Sequence, residues 1–412
     1  MFSYSQDDLY CESVALADIA HHAGTPCYVY SSQSFLDNFR AYDEALGSLP
    51  HRVCYAVKAN GSLGILALLA KAGAGFDIVS GGELYRVLKA GGDPARVVFS
   101  GVGKRADEVD FALEKGIHSF NCESEPELAL INALAARRGV RASFSLRVNP
   151  DVNAETHPYI STGLREHKFG IDIRAAEAIY GRAREFANLE AVGVSCHIGS
   201  QLLDVTPIFE ALDKLLALIG RLRAAGHTIR HVDLGGGLGI AYQPTDQPPA
   251  IRAFVECIRQ RLKGEDLTVM LEPGRSIIGP AGVLLTRVLY RKRNVDKEFV
   301  VVDAAMNDLI RPSLYRSYHE ILPLRKTDRP DVLADLVGPV CETGDFLARD
   351  RLLANVAPGD FLAIANAGAY GFVQASNYNA RRRPAEVLVE DDKWRIIRAR
   401  ETYEDLVRGE IV

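Results

Sequence analysis

One rhythm constrains this 412-residue chain more than any other feature. From about residue 53, a short β-rich run, a glycine-containing turn and an amphipathic stretch recur eight times. The runs are Arg52–Val57, Gly75–Ser80, Arg96–Ser100, His118–Cys122, Ala142–Val148, Ala191–His197, His231–Leu234 and Leu267–Leu271. Between them lie segments with apolar residues at helical spacing, among them Leu63–Lys71, Glu83–Lys89, Glu125–Arg137, Ala175–Phe186, Ile208–Arg223 and Ile251–Leu262. Strands alternating with helices of this length pair in parallel through right-handed crossovers. Eight such units predict an α/β fold, a (β/α)8 TIM-type barrel, with a doubly wound open sheet as the competing arrangement.

After about residue 280 strand-like runs follow one another with few long helices between them: Val283–Tyr290, Phe299–Asp303, Leu333–Val340, Asp360–Ala365, Ala385–Val389 and Trp394–Ile397. The expected division is a barrel over 31–279 and a second, β-rich domain made of 1–30 plus 280–412, with Cys27–Ser31 pairing into the late strands. Hydrophobic residues at 48% and charged residues at 25% suit a chain with a full core. A net charge of −5 gives no broad field for nucleic acid or anionic membrane, and the Arg381-Arg382-Arg383 run reads as a solvated turn. The start, MFSYSQDDLYCES, lacks the basic and apolar regions of a signal peptide, and no apolar run reaches the roughly 20 residues that span a bilayer. Seven cysteines, odd in number and never spaced C-x-x-C, argue against disulfides or zinc and for a reducing, cytoplasmic setting.

In a barrel, working residues gather where strands end and βα loops begin. Lys58 stands just past the first run, His197 past the sixth, Gly235-Gly236-Gly237-Leu238-Gly239 past the seventh, and Glu272-Pro273-Gly274-Arg275 past the eighth. A lysine at a strand end is ordinarily a solvated side chain; desolvated in a barrel mouth, it has a lowered pKa and forms an imine with an aldehyde. The glycine cluster has Ile240 where a dinucleotide fingerprint needs glycine, so it reads either as a phosphate loop or as a bare turn. Glu272 suits an ion pair with Arg275 or, facing a pyridine nitrogen, a role in keeping that nitrogen protonated. His197 reads as a rim histidine or as a flat partner for a cofactor ring.

Nine segments in order, YAVKAN (55–60), SGGEL (80–84), HIGSQ (197–201), GGGLG (235–239), EPGR (272–275), MNDLIRPSLYRSYH (306–319), CETGD (341–345), GAYG (368–371) and NARRRPAEVLV (379–389), cover nearly the whole chain. Together they resemble the fold-type III pyridoxal-phosphate enzymes of the alanine racemase and ornithine decarboxylase superfamily, most closely the diaminopimelate decarboxylase family. The resemblance implies pyridoxal 5'-phosphate as cofactor, with Lys58 carrying it as a Schiff base, His197 stacked on its ring and Glu272 paired with its nitrogen. It implies that Ser200, Gly236, Gly237, Gly274, Arg275 and Tyr370 hold the phosphate. It also implies substrate contacts from Arg275, Arg311, Tyr315, Glu342 and Tyr370, and a short helix over Leu314–His319 that selects substrate length. Cys341 resembles the cysteine that returns a proton to the α-carbon, on a loop reaching a partner's site across a homodimer interface. No metal is implied.

The implied reaction is decarboxylation of meso-2,6-diaminopimelate to L-lysine and CO2. Two arginines and a carboxylate match a substrate with two carboxylates and two amines. Thr343, Ala305, Ser313 and Glu320 depart from the family's usual residues without removing a reacting group. A decarboxylase of ornithine, lysine or arginine, an amino-acid racemase and a non-catalytic regulatory homologue are the rival readings.

Overall fold

The computed structural model describes residues 2–152 and 168–412 and divides into two compact units. One comprises Asn38–Ile240 and Gln247–Ser276; the other comprises Met1–Asp37, Ala241–Asp246 and Ile277–Val412.

The first unit is a closed barrel of eight parallel strands. In chain order they are His51–Ala56, Gly75–Ile78, Val97–Phe99, Ser119–Cys122, Ala142–Asn149, Leu189–Ser195, His231–Asp233 and Thr268–Leu271. Each pairs in parallel with the next, and the eighth returns to the first through Val269 opposite His51. Each matches one of the eight predicted runs, and the open-sheet alternative falls because the ends pair. Several strands stop short of the apolar run that predicts them, for a local reason. Ser80 leaves the second strand to cap the helix Gly81–Lys89, its side chain accepting from the Glu83 N–H, so the strand closes at Ile78. The sixth strand likewise ends at Ser195, which puts Cys196 and His197 in the loop beyond it.

Inside the barrel, polar residues sit within otherwise apolar strands. Asp77, Ser119, Asn121, Ser145, Ser195, His231 and Asp233 are all buried. At the start of the seventh strand the His231 Nε2 meets the Ser145 hydroxyl at 2.8 Å, and the His118 ring lies 5.6 Å from the His231 ring. Gly193 makes room for this ring, since a Cβ there would stand 2.1 Å from His231 Nε2.

The second unit is β-rich, as predicted. Its largest sheet runs in the order Phe346–Leu353, Val332–Val337, Lys297–Val302, Gly282–Asn294, Cys27–Ser31, Ala385–Glu390 and Lys393–Arg398. The 13-residue strand Gly282–Asn294 organises it, pairing with Lys297–Val302, Cys27–Ser31 and Phe361–Ile364. Strand Cys27–Ser31 also pairs in parallel with Ala385–Glu390, joining the start of the chain to the late strands. Two features differ from expectation. Phe346–Leu353 (FLARDRLL) is rich in helix formers and lacks alternation, yet forms an edge strand with two bulges against Val332–Val337. The short helix expected over Leu314–His319 lies instead over Arg311–Tyr315, because Arg316 turns left-handed at φ 52° and stops it.

The arginine triple is also not a solvated turn. Arg381 donates to Asn307 Oδ1 at 2.8 Å and to the Asp303 carbonyl at 2.5 Å, Arg383 donates to Glu401 at 2.6 Å, and Arg382 lies over the Tyr403 ring.

Two predictions follow from the histidine pair. Gly193→Ala overpacks a full interior and is expected to cost about 1–3 kcal/mol, read as a lower denaturant midpoint. Burial, reinforced by nearby Arg52 and Arg230, pushes His118 down to about 4 and His231 to about 3. The unfolded chain takes up these protons near pH 6.5 while the folded barrel refuses them. Their stabilising contribution is therefore complete above pH 6.5 and is lost as pH falls towards 4, by roughly 3 kcal/mol for His231 at pH 4. Denaturation midpoints measured from pH 7.5 to 4.5 should fall more steeply for wild type than for His231→Gln; equal slopes would contradict this.

Candidate active site

The strand ends of the barrel bring eight of the sequence-predicted residues onto one rim. Lys58 lies in a single 3-10 turn, Val57–Ala59, directly after the first strand. Its Nζ sits 2.5 Å from Asp77 Oδ2, at the end of the second strand; the lysine side chain is 36% exposed and the aspartate fully buried. Asp77 is a residue that sequence reasoning passed over, because GFDIVS reads simply as a strand.

Glu272 directly follows the eighth strand and is buried with Asp233 from the seventh. One amide nitrogen, Asn121 Nδ2, lies 3.1 Å from each carboxylate and 3.1 Å from the Ser100 hydroxyl, and Ser100 in turn donates to Glu272 at 3.4 Å. An amide has two protons, so these three acceptors share them. The Gly235 N–H adds a bond to Asp233 at 2.9 Å. Burial first, then the charges of Asp233 and Asp77, hold Glu272 well above the ordinary carboxylate range; burial also raises Asp233. Two carboxylates this close in a buried place retain a proton between them unless a cation joins them. Glu272 is thus not partnered by Arg275, whose Nη2 donates instead to Ser200 Oγ at 3.0 Å.

His197, partly buried, accepts from the Gly236 N–H through Nδ1 at 3.3 Å, which leaves the ring proton on Nε2. Burial, then the nearby Arg147 and Lys58 charges, push this imidazole well below its usual value, so it is neutral at physiological pH. The glycine cluster is required by close approach. A Cβ on Gly236 would lie 2.5 Å from the Glu272 carbonyl, and one on Gly237, at φ 117°, would lie 2.9 Å from the Gly199 carbonyl. On Gly274 it would lie 2.9 Å from the Ala59 Cβ. Gln201 stitches the sixth and seventh loops together, donating to the Ile240 carbonyl at 2.6 Å and accepting from its N–H at 3.2 Å. It stands within the HIGSQ motif without having been singled out.

Other predicted residues lie in the β-rich unit. Arg311, buried, lies 4.9 Å from the Tyr242 ring and 5.9 Å from the Tyr315 ring, and donates to Ser317 Oγ at 3.2 Å. His319 orients it: the His319 Nδ1 faces the Ala365 carbonyl at 2.8 Å and must carry the proton, so Nε2 is free to accept from Arg311 Nε at 3.4 Å. Tyr370 adopts a left-handed backbone at φ 55°, an uncommon conformation for an aromatic residue. Cys341 and Glu342 are exposed neighbours on the loop between Val340 and Asp345.

The family model for the pyridoxal-binding domain of pyridoxal-dependent decarboxylases matches residues 32–279. The diaminopimelate decarboxylase of Pseudomonas aeruginosa is 57% identical over 409 residues, covering 99% of this chain and 98% of that one, and that of Vibrio cholerae is 51% identical over 98% of this chain and 97% of its own. The crystal structure of Helicobacter pylori diaminopimelate decarboxylase complexed with L-lysine superposes with a TM-score of 0.92 at 44% identity, covering 96% of this chain and 99% of that chain. The chain belongs to the diaminopimelate decarboxylase family of pyridoxal-dependent decarboxylases.

Proposed function

We propose that this chain converts meso-2,6-diaminopimelate to L-lysine and CO2, acting at the D-configured centre, in the cytoplasm and as a homodimer with shared active sites. The observation that carries this reading is the buried Asp233–Glu272 pair on the same rim as Lys58. Three carboxylates, Asp77, Asp233 and Glu272, act on the region that Lys58 shares, and the glycines alongside let the loops after the sixth, seventh and eighth strands approach one another closely. A protonated pyridine nitrogen supplies the missing cation and a phosphate suits the glycine loop, so these residues fit pyridoxal phosphate.

When bound, the cofactor accepts the electron pair left on the α-carbon as the carboxylate departs. Lys58 would hold the cofactor through its amine, with Asp77 beside that amine as its counter-ion. Glu272 would hold the proton on the ring nitrogen, and His197, neutral, would stand beside the ring. Ser200, Gly236, Gly237, Gly274, Arg275 and Tyr370 would hold the phosphate. Arg275 and Arg311 bind carboxylates of the substrate, Glu342 its distal amine, and Tyr315 and Tyr370 complete the contact. Cys341, or a water, delivers one proton to the α-carbon, which balances the CO2 lost.

Three measurements test this. Purified holoenzyme should release CO2 from meso-diaminopimelate with kcat/KM at least about 100-fold above that for ornithine, lysine or arginine, because a buried arginine left without a carboxylate is costly. Turnover of one of those amino acids with none of diaminopimelate would sink the substrate assignment. Arg311→Met should raise KM on the order of 10- to 100-fold through loss of a charge-assisted bond; an unchanged KM would remove Arg311 from the substrate. Mixing inactive Lys58→Ala and Cys341→Ala proteins should restore about a quarter of wild-type activity if each site draws on both subunits of a two-fold dimer. No recovery in demonstrably mixed dimers would refute the sharing.

A further inference from the structure

The segment Asn377–Arg383, which overlaps a motif noted in the sequence, touches the loop carrying Cys341 and Glu342 and the stretch leading to Arg311, two of the places in the β-rich unit given substrate chemistry above. Two successive non-glycine residues in it, Asn379 and Ala380, hold left-handed backbones at φ 55° and 53°. Asparagine tolerates that conformation and alanine pays for it, so the turn is held by its surroundings. Its consequence is directional: the Asn379 side chain points back to the loop between Val340 and Asp345, where Oδ1 accepts the Cys341 N–H at 2.9 Å. A backbone N–H can only donate, which fixes the amide orientation. One residue earlier, the Tyr378 hydroxyl bonds to the Glu342 carboxylate, and that contact raises the phenol pKa.

The same segment is anchored two residues later. Arg381 reaches Asn307 Oδ1 and the Asp303 carbonyl, with Asp308 Oδ2 at 3.7 Å, and Ser376 N–H donates to the Asn307 carbonyl at 2.9 Å. The stretch 303–308 leads directly into the helix Arg311–Tyr315. The base of the 340–345 loop has its own tie: Asp345 accepts from the N–H groups of Val340 and Met306, each at 2.7 Å. Ser313 Oγ donates to the Gly344 carbonyl at 2.6 Å. What Asp345 and Ser313 do not hold is the amide of Cys341 itself.

We propose that Asn379 is a positioning residue for the reaction. Its side-chain carbonyl, aimed by a left-handed backbone and anchored through Arg381, fixes the Cys341 amide and so sets where the thiol delivers its proton. This rests on the role given to Cys341 above, and the test separates the two.

Asn379→Gly keeps the left-handed backbone and removes the acceptor, whereas Asn379→Asp keeps both. Each is compared with wild type as full-length, cofactor-loaded enzyme, by hydrogen exchange of the peptide spanning Cys341 and by steady-state kinetics on meso-diaminopimelate. Asn379→Gly is expected to speed exchange of one amide in that peptide about tenfold or more, and to lower kcat on the order of 10- to 100-fold, a larger change than any in KM. Asn379→Asp should stay within about threefold of wild type in both readouts. Unchanged exchange in Asn379→Gly overturns the clamp, as does equal impairment of the two variants. Cys341→Ala with wild-type kcat would overturn the thiol's role, while faster exchange in Asn379→Gly would still uphold the clamp.

Discussion

Two carboxylates with one amide nitrogen between them set the terms for the rest of the barrel. Asp233 and Glu272 come from adjacent strands, share Asn121 Nδ2 and are shut away from solvent. Burying two such groups is costly unless a proton or a cation joins them. Their closeness also dictates the neighbouring backbone. The ends of the seventh and eighth strands approach so tightly that Gly236 has no space for a Cβ, and its N–H is thereby turned to His197. The charge imbalance and the glycine loop are thus one arrangement, and together they define a site suited to a cationic ring bearing a phosphate.

Much of this was legible in the sequence because the barrel is a repeating solution. Eight apolar runs at regular spacing left few topologies, and once strands were counted, Lys58, His197, the glycine cluster and Glu272 had to share a rim. The supporting residues were harder to see. Asp77, Asn121 and Asp233 each sit inside a run that reads as a strand (GFDIVS, HSFNC, HVDL), and which face of such a strand points inward depends on the closed barrel. The usable signal was a lone polar residue late in an apolar strand, a position too costly to fill without a partner.

The β-rich unit was less legible because its strands owe their existence to pairing across the chain. FLARDRLL has helical propensity and becomes a strand only as an edge beside Val332–Val337. The Arg311–Tyr315 helix ends where Arg316 turns left-handed, which the residue type alone does not announce. The Arg381-Arg382-Arg383 run illustrates the same limit: as composition it is a charged surface, but in place Arg381 ties down the segment leading to Arg311. The residues proposed for substrate in this unit stand on irregular backbone held by side chains, whereas those proposed in the barrel follow regular strands that end together.

The central claim is that Lys58 is the amine to which the cofactor is bonded, beside Asp77 and within the field of Glu272. The most direct measurement is borohydride reduction of the holoenzyme followed by proteolysis and mass mapping of the modified lysine. The account predicts a pyridoxyl group on the peptide containing Lys58. Stoichiometric modification of a different lysine, with Lys58 unmodified, would contradict it.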